Sequence, residues 1–259
     1  MKIFITGPTG FIGKYVVEKL REDKNNELFL LSKDLADIEN WKTEVKNFKP
    51  DAAIHLAWEG LPDYGAKNSI KNLNYGLNLM NFLAEINCKT VIMAGTCWEV
   101  LPQPVNAMSA AKTALHWLGE EIAKEKNMNF IWARFFYVYG PGQREDSLIP
   151  FLIRCKKNGD KPKIKTPEAK KDFIYVGDVA EALSKIIKKG KKRAIYDIGS
   201  GKLTGVQEIA KIIFPDFKIK KLKKDSAGSP LADISKIKKE IGWEPETGIK
   251  EGIKKIIKQ

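Results

Sequence analysis

The amino-acid sequence predicts an α/β fold, a doubly wound parallel sheet with a small C-terminal lobe, and three observations carry that prediction. Short apolar runs alternate with helix-length amphipathic stretches from the first residue on. The runs KIFIT, ELFLL, DAAIHLA, TVIMAG and NFIWARF are apolar nearly throughout, the pattern of strands covered on both faces. Three glycines, Gly7, Gly10 and Gly13, stand where the first strand gives way to the first helix.

Taken in order, KIFIT leads through those glycines into a helix over Phe11 to Arg21. ELFLL is the second strand, and helices over Asn68 to Ile86 and Ser109 to Lys126 separate the later strands. Helical crossovers of this kind set successive strands parallel. After YVYGPGQ the rhythm loosens into a helix near Leu148 to Lys157, a polar loop KNGDKPKIKTPEAKK, and DFIYVGDVAEALSKIIKK as a strand running into a helix. AIYDIGSG follows, then TGVQEIAKIIF as a helix opened by a capping threonine, Thr204, and a last helix after GWEPETG. On this reading residues 1–145, with 172–198 returning to them, form the sheet domain, and 146–171 with 199–259 form the lobe.

Composition narrows the function classes. With 259 residues, 43% of them hydrophobic, the chain can bury a full core. No apolar run approaches the ~18 residues of a membrane span, and MKIFITG lacks the regions of a signal peptide, so a cytoplasmic location is expected. Cys88, Cys97 and Cys155 form no Cys-x-x-Cys pair, and His55 and His116 lie far from them, so neither a disulfide framework nor a metal site is signalled. The net charge of +13 resides largely in KIIKKGKKR, KIKKLKKD and GIKKIIKQ, which read as amphipathic helices with solvated faces. Zinc-finger spacing and basic-aromatic RNA motifs are missing from the sequence, so a nucleic-acid partner rests on charge alone and is not expected.

Glycines at a strand-to-helix junction permit a tight turn and close backbone approach, while the helix amino end offers N–H donors and a positive dipole to a pyrophosphate. Three glycines in an ordinary turn are the bland alternative; the strand before and the helix after favour the Rossmann-type phosphate loop. The spacing Gly-x-x-Gly-x-x-Gly in TGPTGFIG resembles that of the extended short-chain dehydrogenase/reductase family, the nucleotide-sugar epimerases, dehydratases and reductases. The resemblance continues in order through DLAD, PDAAIHLAW, GTCWEV, MSAAK, ARFFYVYGPGQ, KDFIYVGDVA, YDIGSGKLTGVQEIA and LADISKIKKEIGWEPETGIKEGIKK. GTCWE and the compact SKDLADIENW look most like reductases and epimerases that finish deoxysugars. The chain is short for the family, which implies trimmed loops in the lobe.

The resemblance implies NAD or NADP in the sheet crevice and hydride exchange with a sugar carbon, while a tyrosine moves the hydroxyl proton. In the family's Tyr-x-x-x-Lys the two residues share a helix face, and the ammonium binds the cofactor ribose and favours the phenolate. Lys112 stands in the lysine's place, or is an exposed helical lysine. The tyrosine's place is taken by Met108, whose thioether cannot transfer a proton and ordinarily packs. For the accompanying hydroxyl, Thr96 is favoured over Cys97 because it both donates and accepts, although a threonine satisfying local backbone fits nearly as well. Tyr137 lies where the family places a substrate-contacting asparagine, with Tyr139 nearby. Tyr137 is either a surrogate proton donor or, more in keeping with aromatic residues, core packing. His116, one turn beyond Lys112, is a further titratable group.

For the cofactor, the loop residues Gly7, Thr9, Gly10, Phe11, Ile12 and Gly13 are implied on one side, and Leu56 and Ala57 on the other. After the second strand the chain presents Ser32 and Lys33 before Asp34 and Leu35, and a hydroxyl plus an ammonium suits the 2′-phosphate of NADP, which is slightly favoured over NAD. Asp34 and Leu35 alternatively form the family's pair flanking adenine. Lys171 replaces an arginine at the start of KDFIYVGD, and a lysine binds phosphate as a point charge without the bidentate fork. The expected function is reduction of a keto-sugar or epimerisation on a nucleotide-activated sugar, by a homodimer as the resemblance implies. The alternative is a cofactor-binding member, impaired by Met108, with a binding or regulatory role.

Overall fold

The computed structural model describes residues 1–216 and 228–258. Strand β1 (Lys2–Thr6) enters α1 (Phe11–Arg21), and β2 (Glu27–Leu31) is followed by a short turn of 3₁₀ helix and α2 (Lys42–Phe48). Then come β3 (Ala52–His55), α3 (Ala66–Glu85), β4 (Thr90–Thr96), α4 (Ala107–Glu125) and β5 (Asn129–Phe135). The remaining elements are β6 (Tyr137–Tyr139), α5 (Leu148–Asn158), β7 (Lys170–Tyr175), α6 (Val176–Lys189), β8 (Ile195–Ile198), β9 (Leu203–Gly205), α7 (Val206–Ile213), α8 (Ser235–Ile241) and α9 (Ile249–Ile257).

Six strands form one sheet in the order β2-β1-β3-β4-β5-β8, every neighbouring pair parallel. Two-residue alternation along each strand feeds two cores. Ile3, Ile5, Ile54, Ile92 and Ile131 face α1, α6 and α8, while Phe4, Ala53, Val91, Met93, Phe130 and Trp132 face α3 and α4. Because both faces are covered, the strands carry no polar alternation. In α6, Val179, Leu183 and Ile186 recur at helical spacing and are buried in the first core.

The second sheet, β6-β7-β9, belongs to the lobe, with β6 parallel and β9 antiparallel to β7. Tyr139, Ile149, Leu152, Phe173, Ile209, Ile213 and Ile253 bring β6, α5, β7, α7 and α9 into its core. Asp172 on β7 ties the parts together: its fully buried carboxylate accepts hydrogen bonds from the Ser200 amide and hydroxyl and from the amides of Gly201 and Ala232. The described residues of 199–258 divide between the two parts, since Ile237, Ile241 and Trp243 lie in the core under the main sheet.

Thr204 differs from expectation. It belongs to β9, pairing with Lys171, and α7 begins beyond it with Gly205 at the N-cap and no side-chain cap. Backbone pairing along β7 takes the place of the capping hydrogen bond. Among the described residues no helix is long and apolar enough to cross a membrane, and no group of His, Cys, Asp or Glu has the makings of a metal site. The expected helix in KIKKLKKD lies outside the described residues.

Candidate active site

The strand order reverses between β1 and β3, both flanking strands running parallel, and this switch point opens a crevice beyond their carboxyl ends. Thr6 pairs with His55, so the chain leaving β1 at Gly7 and the chain leaving β3 at Leu56 face each other across it. A cleft of about 470 Å³ results, lined by Gly7, Thr9, Gly10, Phe11, Ile12 and Gly13 on one wall and Leu56, Ala57 and Trp58 on the other. Tyr64, Gln143, Arg144 and Ser147 close its far side.

The three glycines have different duties. Gly7 holds φ +68°, and a Cβ there would stand 2.8 Å from the Ala57 amide nitrogen. A Cβ on Gly13 would lie 2.0 Å from the Gly7 carbonyl oxygen. Those two set the turn and the close fit of α1 on the loop. Gly10, at φ −68° and ψ 168°, is extended and exposed, and its only near neighbour would be the Gly7 oxygen at 3.3 Å. It keeps the cleft open. Helix α1 has no side-chain cap and no acidic residue in its first turn, so its amino-terminal N–H groups and dipole are left for an anion.

Met108 and Lys112 lie on α4, both buried. The α4 start is fixed by a capping box in which Asn106 Oδ1 accepts from the Ser109 amide at 2.9 Å and Ser109 Oγ accepts from the Asn106 amide at 3.2 Å. Lys112 Nζ donates to the Ala94 carbonyl at 2.5 Å and lies 4.2 Å from the Trp58 ring centroid, under a side chain that lines the cleft. Burial pushes the Lys112 ammonium down to about 8, against the opposing pull of the Glu99 carboxylate. His55, bonded to Thr6 Oγ1 at 2.7 Å, is held down to about 3, by burial first and by Lys112 second.

Thr96 ends β4 and starts a 3₁₀ turn, its hydroxyl accepting from the Trp98 amide at 3.5 Å. Glu99 closes that turn: one oxygen accepts from the Thr96 amide at 2.5 Å and the other from Trp132 Nε1 at 2.6 Å. Desolvation raises the Glu99 carboxyl above its ordinary range. Cys97 is buried, its thiol pushed up to about 12 by the same cause, which leaves it an inert core group.

The lobe contributes a second cavity of about 700 Å³, bordered by Tyr137, Phe173 and the lysines Lys163, Lys165 and Lys171. Gln143 and Ser147 line both cavities, so the two adjoin. Lys171 Nζ donates to the Tyr137 hydroxyl at 2.9 Å, and Trp98 Nε1 donates to the same oxygen at 3.3 Å. Tyr139 is sealed in the lobe core, where burial raises its phenol. His116 stacks on Trp132, ring centroids 5.0 Å apart, with Glu120 3.9 Å away, and burial lowers it. Ser32, Lys33 and Asp34 are exposed beyond β2 and line neither cavity. Lys33 Nζ bonds Glu44 at 2.5 Å and the Asn40 carbonyl at 2.9 Å, Asp34 caps the Ala36 amide at 2.8 Å, and Leu35 is buried in the second core.

Sequence reasoning missed Glu99, Gln143 and the contacts of Trp98. GTCWE contained a signal for the first, an acid three residues after a threonine that starts a turn, and Gln143 ends the motif ARFFYVYGPGQ without a local pattern that assigns it to a cavity.

A parallel doubly wound sheet with a glycine turn at its switch point defines a Rossmann-type dinucleotide-binding fold. The chain belongs to the NAD dependent epimerase/dehydratase family, whose model matches residues 3–199. It is 26% identical to the dTDP-4-dehydro-6-deoxyglucose reductase of Escherichia coli, over 99% of this chain and 96% of that protein. It is 27% identical to a putative UDP-glucose 4-epimerase of Methanocaldococcus jannaschii, over 98% and 97%. Among solved structures, the UDP-glucose 4-epimerase of Thermotoga maritima with UDP-glucose superposes with a TM-score of 0.88 at 22% identity, covering 100% of this chain and 98% of that one.

Proposed function

We propose that the chain binds NAD or NADP in the glycine-loop cleft and uses it on a nucleotide-activated sugar held in the lobe cavity, reducing a keto group or epimerising a carbon. The adjoining of the two cavities at Gln143 and Ser147 carries this reading, because it lets a dinucleotide and a second ligand meet end to end. The residues suit the cofactor: a loop without a Cβ at Gly10, an uncapped helix terminus for the pyrophosphate, and apolar Leu56 and Ala57 opposite. When bound, it would supply the hydride chemistry. Lys163 and Lys165 give the second cavity a cationic lining suited to a diphosphate, while Lys171 is engaged by the Tyr137 hydroxyl. The Escherichia coli relative favours reduction, and the Methanocaldococcus relative keeps epimerisation open.

The preference for NADP rests on Lys33 after the second strand, whose exposed ammonium would leave Glu44 and the Asn40 carbonyl, outside the glycine-loop cleft, for a 2′-phosphate. Such a surface pair is worth little, so exchange is cheap. Pairing of two copies draws support from α3 and α4, which pack together and carry exposed Ile70, Trp117 and Leu118.

One observation favours a second reading. Met108 is buried where the family's tyrosine belongs, and Lys112 turns to the Ala94 carbonyl beneath Trp58, as expected of a member that binds cofactor without efficient turnover. Calorimetry with NADH and NADPH, followed by nicotinamide absorbance on added nucleotide keto-sugars, tests both. Binding with turnover supports the enzyme, binding without turnover supports the second reading, and binding of neither cofactor refutes both.

A further inference from the structure

Helix α4 holds no proton donor where the family resemblance puts one, yet a phenol and an ammonium do meet elsewhere in the molecule. Lys171 Nζ stands 2.9 Å from the Tyr137 hydroxyl and 4.1 Å from its ring centroid. Neighbouring strands bring them together: Tyr137 on β6 pairs with Phe173 on β7, and Lys171, two residues earlier on the same face, reaches the ring from the side. Trp98 Nε1 supplies a second hydrogen bond to that oxygen at 3.3 Å.

Both partners are donors only, since neither an ammonium nor an indole N–H has a lone pair to offer. The Tyr137 oxygen therefore accepts twice, and no described residue accepts the hydroxyl's own hydrogen. That proton is available to a ligand. The location is apt: Tyr137 and Lys171 line the lobe cavity, while Trp98 leans edge-on against Tyr64, 5.6 Å between centroids, and Tyr64 lines the cofactor cleft. The other two candidates read from the sequence, His116 and Tyr139, face inward. His116 is stacked on Trp132 and Tyr139 is closed in the lobe core.

We propose that Tyr137 is the proton donor to the sugar oxygen, with Lys171 as the positioning residue that holds the phenol oxygen and restores its proton; this rests on reading the chain as a keto-sugar reductase. As the carbonyl π bond opens, Tyr137 gives its proton to the oxygen while the carbon receives hydride from the reduced nicotinamide, which is oxidised. A C–H and an O–H bond form. Lys171 then passes a proton to the phenolate and takes one back from water, so no other oxidant or reductant enters. The acid and its ammonium, four apart on a helix in the family's pattern, stand here on two paired strands.

The test begins without any ligand. In protein carrying carbon-labelled tyrosine, the ring resonance that vanishes in Tyr137→Phe identifies Tyr137, and it should move in Lys171→Met; an unmoved resonance overturns the pairing. Calorimetry should find cofactor and nucleotide-sugar affinities of Tyr137→Phe within about 3-fold of the parent chain, while single-turnover hydride transfer falls roughly 10²- to 10⁴-fold, the usual contribution of a general acid. Lys171→Arg should retain more of the rate than Lys171→Met. An undiminished rate in Tyr137→Phe, or a loss of binding that accounts for the slower rate, overturns the proposal and leaves the reductase reading intact. A parent chain that binds both ligands but transfers no hydride to any keto-sugar overturns the reductase reading and this proposal with it.

Discussion

Replacing Gly10 by leucine should separate cofactor binding from folding. Gly10 is extended and exposed, and its Cβ would approach only the Gly7 oxygen, at 3.3 Å, so leucine meets no positive-φ strain and one tight backbone contact that a shift of a few tenths of an ångström relieves. Loss of glycine's freedom in the unfolded chain even favours the variant by a few tenths of a kcal/mol to about 1 kcal/mol. The leucine side chain then projects into the cleft in front of α1, where Phe11, Ile12 and Gly13 present N–H groups that a helix's first turn cannot satisfy internally. Losing two charge-assisted hydrogen bonds to a pyrophosphate costs about 3–6 kcal/mol, which is ~100-fold or more in Kd. Urea unfolding and calorimetric titration of NADH and NADPH read the two effects on the same preparation. Gly13→Ala is the contrasting control, since its Cβ would lie 2.0 Å from the Gly7 oxygen; backbone cannot yield there, and a stability loss of about 1–3 kcal/mol is expected. Undiminished binding by stable Gly10→Leu would refute the phosphate-loop assignment, and unfolding of Gly10→Leu would refute the geometry.

The remaining expectations concern groups around the site. His55 has a folded pKa of about 3 against an ordinary 6.5, so below 6.5 the unfolded chain takes up a proton that the folded chain refuses. Its contribution to stability is therefore lost as pH falls from 6.5 towards 3, by about 1.4 kcal/mol per pH unit. His55→Gln should flatten that part of the stability–pH curve measured by urea unfolding; an unchanged slope would show His55 to be protonated when folded. Glu99→Ala leaves the Thr96 amide and Trp132 Nε1 without their acceptor and should cost about 2–5 kcal/mol, with a change in tryptophan fluorescence. A loss under about 1 kcal/mol would mean that water reaches both donors.

The main sheet was legible because burial on both faces writes strands as continuous apolar runs: KIFIT, ELFLL and NFIWARF coincide with β1, β2 and β5. Helices α2 and α8 were not legible. Each has seven residues, too few for a period to declare itself, and α2 buries only Val45. The cleft residues from Gly7 to Gly13 could be read locally because the loop's chemistry lies in consecutive residues. Contacts of Lys112 and Tyr137 could not. Trp58 covers Lys112 from another strand's end, and Lys171 reaches Tyr137 through the β6–β7 register, a pairing across 34 positions that no local pattern encodes.

Ile237, Ile241 and Trp243 belong to the core that also holds Ile3 and Ile5, and α8 packs against α6 and β8, so the β8 end of that face is covered by residues that follow every strand. Contacts so distant in sequence carry a large loop-closure entropy and slow folding. During synthesis all six strands of the main sheet would have emerged before Trp243 arrived to cover that face, leaving a nascent intermediate with apolar surface exposed. A stop codon just after β9 would thus remove more than the rest of the lobe. It would strip cover from α6 and from β8, the edge strand of the main sheet.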